Sequence, residues 1–446
     1  MPKTYAISTL GCAKNTVDSE GIAHLLRAAG YLPAGRPDMA DVVVVNTCGF
    51  IKAATDESLA EIARLARAKR QGQLLVAAGC LAERLGNALR EDLPAVDAVL
   101  GTRRWGEVAS LIEEAGGGSR PCWTGEGKPE PQVRRLARQA SAYLKVADGC
   151  SAGCSFCSIP LIKGPYRSRP REQIVAEAAD LAAQGVKEIV LVAQDTTAYG
   201  RDRGERDGLA RLLGDLLAAT PSVPWLRLMY AYPTHLDDRV LALMAREPRL
   251  LPYVDLPLQH ANPAVLRRMR RPTIDPKELV ARVRDAVPDV TLRSTFIVGF
   301  PGETEAEFES LLQFLEDARL DKVGVFAYSA EEGTIAAGLP DQIPDDVKRR
   351  RLDRAMRLQQ RVSLEQNRRQ IGRVLDVLVE GAAPVGRSGR GRVGAALVCG
   401  RSYRDAPEVD GLVLFRGRAK AGQLVRVRIT RALAYDLVGE VVADSA

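Results

Sequence analysis

The chain has 446 residues, 46% of them hydrophobic and 27% charged, with a formal net charge of +7. That length suggests about two to four domains, and no run of about 18 apolar residues marks a membrane-spanning helix. The first residues lack a charged stretch followed by an apolar one, so no secretory signal is expected, and the eight cysteines point to metal or redox chemistry rather than a disulfide framework.

Strands and helices alternate first. TYAIST (4–9), DVVVVN (41–46) and QLLVAAG (73–79) read as short buried strands, with helical stretches such as AATDESLAEIARLARAKR between them. This predicts a parallel sheet in a domain of residues 1–115. Cys12, Cys48 and Cys80 each follow the C-terminal end of one of these strands. In a parallel sheet such loops emerge on one edge, where open α/β proteins build their sites. Any one of these thiols alone reads as a buried core cysteine; three at equivalent positions predict convergence. Gly, Pro and Ser then mark a linker at 116–135, which contains Cys122.

Residues 136–342 repeat strand and helix six times: AYLKVA, EIVLVA, LRLMYA, YVDLPL, TLRSTFIVG and KVGVFAYS are the predicted strands. Six parallel βα units suit a partial barrel, whose reactive residues belong just past the C-terminal strand ends. The first exit carries GCSAGCSFCSIP, with Cys150, Cys154 and Cys157. Three close thiolates are one short of a closed zinc site. On a four-iron cluster they leave one iron open to a ligand. Later exits carry Gln194-Asp195-Thr196-Thr197, Tyr230 to Pro233, Gln259-His260, Gly299 to Glu303, and Tyr328 to Glu331. Asp and Thr there also suit a helix cap, whereas Gly299 and Gly302 let the backbone approach a ligand closely. His260 reads as a hydrogen-bonded supporting residue.

A basic linking helix (343–371) leads to five short β runs in 372–442, which predict a small antiparallel barrel of a kind that often binds nucleic acid. Arg426 and Arg428 alternate with apolar neighbours and should share one solvent face, with Arg416 and Arg418 beside them. Cys399 reads as core.

The CxxxCxxC spacing, with Phe156 before the last cysteine, resembles the signature of radical S-adenosylmethionine (SAM) enzymes. The order of the three parts resembles the methylthiotransferase family of those enzymes. STLGCAKNTVDSE, VNTCGFI, DGCSAGCSFCSIPLIKGPYRSRP, QDTTAYG, YAYP, LPLQH, TFIVGFPGETE and FAYSAEEGT carry the resemblance, most specifically to the branch that modifies a ribosomal protein. It implies an α/β fold: an N-terminal parallel α/β methylthiotransferase domain, a partial (βα)6 TIM-like radical SAM barrel and a C-terminal TRAM barrel. It implies a SAM-cleaving 4Fe–4S cluster on Cys150, Cys154 and Cys157, and a second 4Fe–4S cluster on Cys12, Cys48 and Cys80. Gln194, Asp195, Thr196, Thr197, Gly299, Gly302 and Glu303 are the implied SAM contacts, and no side chain is assigned as acid or base. The implied reaction adds a methylthio group to the β-carbon of one aspartate of the S-twelve protein of the small ribosomal subunit, with SAM as both radical source and methyl donor. Implied partners are that protein, free or on the ribosome, a cytoplasmic reducing protein such as flavodoxin or ferredoxin, and RNA at the TRAM domain; the sulfur donor stays open. Two alternatives also stay open: a tRNA adenosine methylthiotransferase with the same chemistry, and a non-catalytic iron–sulfur RNA-binding module. The TRAM domain is expected to be a docking module whose removal spares SAM cleavage.

Overall fold

A computed structural model describes residues 3–137, 139–272, 274–383 and 397–442. Ala396, the first residue of one predicted strand, lies outside them. Among the described residues no helix is long and apolar enough to cross a membrane.

The N-terminal sheet is parallel throughout, in the order Leu32–Pro33, Thr4–Thr9, Val42–Thr47, Leu74–Gly79, Ala98–Gly101, Cys122–Trp123. Strand Val42–Thr47 is buried along its whole length, as a valine run in a sheet covered on both faces should be. Its side chains alternate between the two faces. Val42 and Val44 pack with Trp105 and Leu111, while Val43 and Val45 pack with Ile62 and Leu65. Helices Ala13–Ala28, Lys52–Arg67 and Cys80–Leu85 begin at or just after the three cysteine positions.

The stretch read as a linker does more than connect. Cys122 and Trp123 add the edge strand of the sheet. Arg135 is 2% exposed and ties Glu20 of the first domain to Glu177 of the barrel.

Six parallel strands form the partial barrel: Ser141–Lys145, Glu188–Val192, Trp225–Leu228, Tyr253–Asp255, Thr291–Val298 and Lys322–Ala327. They make two three-stranded ladders. Between the ladders the chain is joined by Ala231 N–H donating to Asp255 O and by a parallel bridge from Leu226 to Leu250.

The C-terminal unit is a closed five-stranded barrel. It departs from the expected all-antiparallel pattern at one pairing, since Val413–Arg416 runs parallel to Leu437–Val441. Arg416, Arg418, Arg426 and Arg428 are all exposed, and Cys399 is buried.

This unit is also the floor of the larger barrel. Its 401–410 segment meets the N-terminal ends of the barrel strands. Arg401 pairs with Glu188 at 2.6 Å, Lys322 with Asp405 at 2.8 Å, and Arg404 with Asp321 at 2.7 Å. Tyr253 donates to Asp410, and Ala406 joins the apolar cluster inside the barrel. Removing the unit would strand these buried charges, so the expectation that it can be cut away without harm gives way to one of barrel collapse.

Glu188 is fully buried between Arg227 and Arg401. Burial alone would raise its pKa, but the two guanidiniums override this and bring it down to about 2. Stability from such a group is present above the unfolded carboxylate pKa of about 4.3 and is lost as pH falls towards 2. Glu188→Gln leaves two buried cations facing a neutral amide, at an expected cost of about 3–5 kcal/mol. Urea unfolding at neutral pH and near pH 3 checks this: the wild-type should lose stability between those values more steeply than the variant. Equal midpoints at neutral pH would rule the lock out.

Candidate functional site

All six predicted ligand cysteines line one cavity of about 440 Å³ between the N-terminal domain and the C-terminal ends of the barrel strands. Cys12, Cys48 and Cys80 come from one side, and Cys150, Cys154 and Cys157 from the other. Among the described residues no three His, Cys, Asp or Glu side chains are gathered tightly enough to chelate a single metal ion. A cluster spreads its thiolates over separate iron corners, so it suits a wider triangle than one ion does.

Local structure explains each half. Gly11 has φ +92°, and a Cβ there would lie 2.6 Å from Cys48 Cβ, so only glycine lets the first two cysteine loops touch. Asn15 is 1% exposed and acts as a hub. Its Nδ2 donates to Leu10 O at 2.8 Å and to Thr47 O at 2.9 Å, and its Oδ1 faces Cys80 Sγ at 3.9 Å. One amide thus bonds Thr47 beside Cys48, Leu10 two residues before Cys12, and faces Cys80 itself. On the barrel side, a Cβ at Gly149 (φ +74°) would lie 2.2 Å from Pro165 O. Cys150 N–H donates to Gly164 O, Ser155 N–H to Met269 O, and Ser155 Oγ to Arg268 O, which fix the loop.

The charged side chains that line the cavity are cationic. No carboxylate lines the cavity, but Lys14, Lys163 and Arg271 do. Arg271 Nη1 lies 3.7 Å from Cys154 Sγ, and its guanidinium stacks on Tyr232 at 4.2 Å. Lys163 pairs with Asp148 at 3.0 Å and with Asp18 at 3.4 Å. Burial pushes the Cys80 and Cys157 thiols up to about 12, and raises Cys48 and Cys150 as well. Iron binding must therefore displace protons from these groups. The donor set fits thiolate-held iron–sulfur clusters.

Of the seven residues predicted to contact SAM, Gln194 alone lines this cavity. Its Nε2 donates to Asp148 at 3.0 Å, and its buried Oε1 has no partner. Asp195 is engaged elsewhere: it caps the next turn through Ala198 N–H, accepts from Thr197 Oγ1 at 2.6 Å, and pairs with His235 at 2.6 Å. Thr197 Oγ1 also accepts from Tyr232 N–H. Thr196 is fully buried away from the cavity. Gly299 and Gly302 have φ near +70°, and a Cβ on Gly299 would lie 2.4 Å from Lys348 Cγ, so close helix packing accounts for that glycine. Glu303 is 2% exposed and bonds Gly299 N–H, Arg351 and His260. Because His260 Nδ1 accepts from Asn262 N–H, its Nε2 carries the proton given to Glu303.

Sequence reasoning did not single out Lys14, Asn15, Lys163 or Arg271. Tyr230 and Gln259 line the cavity with φ of 62° and 71°, a strained setting for non-glycine residues. The Oε1 of Gln259, like that of Gln194, is buried without a partner.

Comparison with known proteins agrees with this layout. Residues 4–101 match uncharacterized protein family UPF0004, residues 144–315 the radical SAM superfamily, and residues 371–442 the TRAM domain. The chain is 50% identical to the ribosomal protein uS12 methylthiotransferase RimO of Roseiflexus castenholzii, over 99% of this chain and 96% of that one. It is 47% identical to that of Chloroflexus aurantiacus, over 98% and 99%. Among solved structures it resembles the radical SAM methyltransferase TsrM of Kitasatospora setae, with cobalamin and a 4Fe–4S cluster bound, at a TM-score of 0.54 and 16% identity over 73% of this chain and 75% of that one. The cobalamin-dependent radical SAM enzyme OxsB gives a TM-score of 0.51 at 12% identity, over 80% and 56%. These two likenesses show the fold alone.

Asn15→Ala removes a donor from the buried Thr47 carbonyl and the half-buried Leu10 carbonyl, at about 1–3 kcal/mol for the buried one. The variant should fold with a lower unfolding midpoint and lose iron from the Cys12 side, while keeping iron on the Cys150 loop. Iron analysis beside a denaturant titration checks this; wild-type values in both would show that Asn15 is not the hub.

Proposed function

The chain belongs to the ribosomal protein uS12 methylthiotransferase (RimO) family of radical SAM enzymes, and from that membership we propose that it adds a methylthio group to the β-carbon of one aspartate of uS12, using SAM as both radical source and methyl donor. The observation that carries the reading is the meeting of six thiols, three from each of two domains, on one cavity. Cys150, Cys154 and Cys157 would hold the 4Fe–4S cluster that binds SAM, and Cys12, Cys48 and Cys80 a second one. When bound, these groups supply one-electron cleavage of SAM, removal of an unactivated hydrogen and delivery of sulfur, chemistry outside the reach of protein side chains.

The chain's own residues position and shield. The unpartnered oxygens of Gln194 and Gln259 are acceptors suited to the amino group of SAM. Lys14, Lys163 and Arg271 offset the negative charge that thiolates bring. Phe50, Phe156, Phe326 and Tyr232 give the cavity aromatic, largely apolar walls. Asp195 and Thr197 support this wall, whereas Gly299, Gly302 and Glu303 shape the barrel behind it.

Identity to uS12 enzymes across nearly the whole chain favours this reading over a tRNA substrate or a non-catalytic module. The reaction then belongs in the cytoplasm, with a flavodoxin- or ferredoxin-type reductant. The exposed Arg416, Arg418, Arg426 and Arg428 offer a docking face for the ribosomal protein or neighbouring RNA.

Two triple alanine variants test the assignment. Replacing Cys150, Cys154 and Cys157 should remove about half the iron and abolish 5′-deoxyadenosine formation. Replacing Cys12, Cys48 and Cys80 should also remove about half, yet leave SAM cleavage and yield no methylthiolated uS12 by mass spectrometry. Methylthiolation at the wild-type rate by the second variant would refute the sulfur-delivery role.

A further inference from the structure

The two thiol triplets belong to different domains, so some contact must fix their separation. On one flank Asp18 does this, from the helix that follows Cys12: it pairs with Lys145 at 2.6 Å and with Lys163 at 3.4 Å. On the opposite flank a barrel carboxylate reaches the elements bearing the other two cysteines. Glu331 lies just past strand Lys322–Ala327 and is 5% exposed. Its Oε1 accepts from the backbone N–H of Lys52 at 2.8 Å, the first residue of the helix after the Cys48 loop, and from Ser329 Oγ at 2.7 Å. Its Oε2 accepts from Arg84 Nη1 at 2.9 Å, in the helix that begins at Cys80. The same Arg84 nitrogen donates to Gly49 O at 2.6 Å, next to Cys48.

The chemistry of this junction is directional. A carboxylate at a helix N-terminus is favoured by the helix dipole, and its bonds to Arg84 and to the backbone N–H are charge-assisted. Glu331 is not among the residues lining the cavity, so it can act on the chemistry only through what it holds.

We propose that Glu331 is a positioning residue for methylthio transfer, setting the distance of Cys48 and Cys80 from the Cys150, Cys154 and Cys157 loop and thereby coupling radical formation to sulfur delivery. The proposal rests on the assignment of the six cysteines to two clusters. Its partners on both oxygens are donors, so Glu331→Gln keeps the shape but turns an amide donor towards one of them. A misplacement of about 1 Å in a reacting pair costs on the order of 10²-fold.

The test uses holoenzyme carrying Glu331→Gln, Arg84→Met, or both. Four quantities are read: iron per chain, 5′-deoxyadenosine formed, methylthiolated uS12 formed, and the spin–spin interaction between the two reduced clusters by electron paramagnetic resonance. Each single variant should keep wild-type iron and wild-type SAM cleavage. Product per 5′-deoxyadenosine should fall on the order of 10²-fold, and the spin–spin interaction should weaken. The double variant should be no worse than either single, because one latch is broken either way. An unchanged product ratio with unchanged spin coupling would overturn the proposal, as would loss of one cluster's iron, which would make Glu331 a support for cluster binding instead. The wild-type control separates the two readings: failure of the wild-type to modify uS12 would refute the function, while the spin measurement still reports on the latch.

Discussion

Two buried lysines hold the catalytic halves together, and the rest of the site depends on them. Lys145 and Lys163 are each about 1–2% exposed at the side chain and are ringed by Asp18, Glu130 and Asp148. Burial alone would lower both lysine pKa values, but the carboxylates override it and raise them. Asp148 shows the mirror image: burial would raise it, and the two lysines hold it well below the usual carboxylate range. Glu130 is lowered too, so these two lysines and two carboxylates favour their charged forms across the middle of the pH scale, the carboxylates losing their contribution only towards acid and the lysines only towards strong base. Each member sits at a strategic place. Asp18 lies on the helix after Cys12, Asp148 two residues before Cys150, and Lys163 at the end of the short helix Ile159–Lys163 behind Cys157. Gln194 is bonded to the same Asp148, so the one predicted SAM contact on the cavity wall is oriented by this network too.

The barrel between these contacts is closed at both ends by other parts of the chain. Ala406 from the C-terminal unit and Ala13 from the N-terminal domain share one apolar cluster with Val190, Val192, Trp225 and Tyr253. An incomplete barrel of six strands leaves its interior open to water at floor and roof. Here the floor is sealed by the ion pairs of the 401–410 segment, and the roof by the cysteine loops. That arrangement gives a unit with no residue in the cavity a structural part in the barrel. Its exposed Arg416, Arg426 and Arg428 lie on strands, and Arg418 just after one, outside the 401–410 segment.

The cysteines were readable in the sequence because two simple rules constrain them. Close spacing places Cys150, Cys154 and Cys157 on one loop, and the edge rule for parallel sheets gathers Cys12, Cys48 and Cys80. The strand-exit rule was weaker for the other polar residues. It finds a position, not a partner, and Asp, Thr and Glu suit a cap, a latch or a ligand equally well. Asp195 became a cap with a histidine partner, Glu303 a buried clasp on Arg351 and His260, and Glu331 a latch onto another domain. Lys14, Asn15, Lys163 and Arg271 carried no local signature, because their roles exist only once separate segments meet. The contacts of the linker were hidden for a related reason: its composition signals a turn-rich path, while Glu130 and Arg135 take their meaning from distant charges.

A polar seam between the cysteine-bearing domains is what this chemistry requires. Apolar burial is non-directional and tolerates sliding, whereas hydrogen bonds restrict both distance and angle. Two triplets of thiols must be registered closely if a radical and its sulfur partner are to meet. Among the described residues, Ala13 is the only member of the N-terminal domain in the buried apolar clusters of the barrel. Registration instead falls to Asp18 on one flank, to Glu331 on the other, and to Ser158 Oγ, which donates to Phe50 O between the Cys157 and Cys48 loops. Buried charges add less net stability than apolar packing of the same volume would, and breaking one leaves its partner unpaired at a cost of about 3–5 kcal/mol. The same asymmetry penalises domain arrangements that unpair Asp18 or Glu331. Specific geometry, rather than extra stability, is what these charges contribute at the seam.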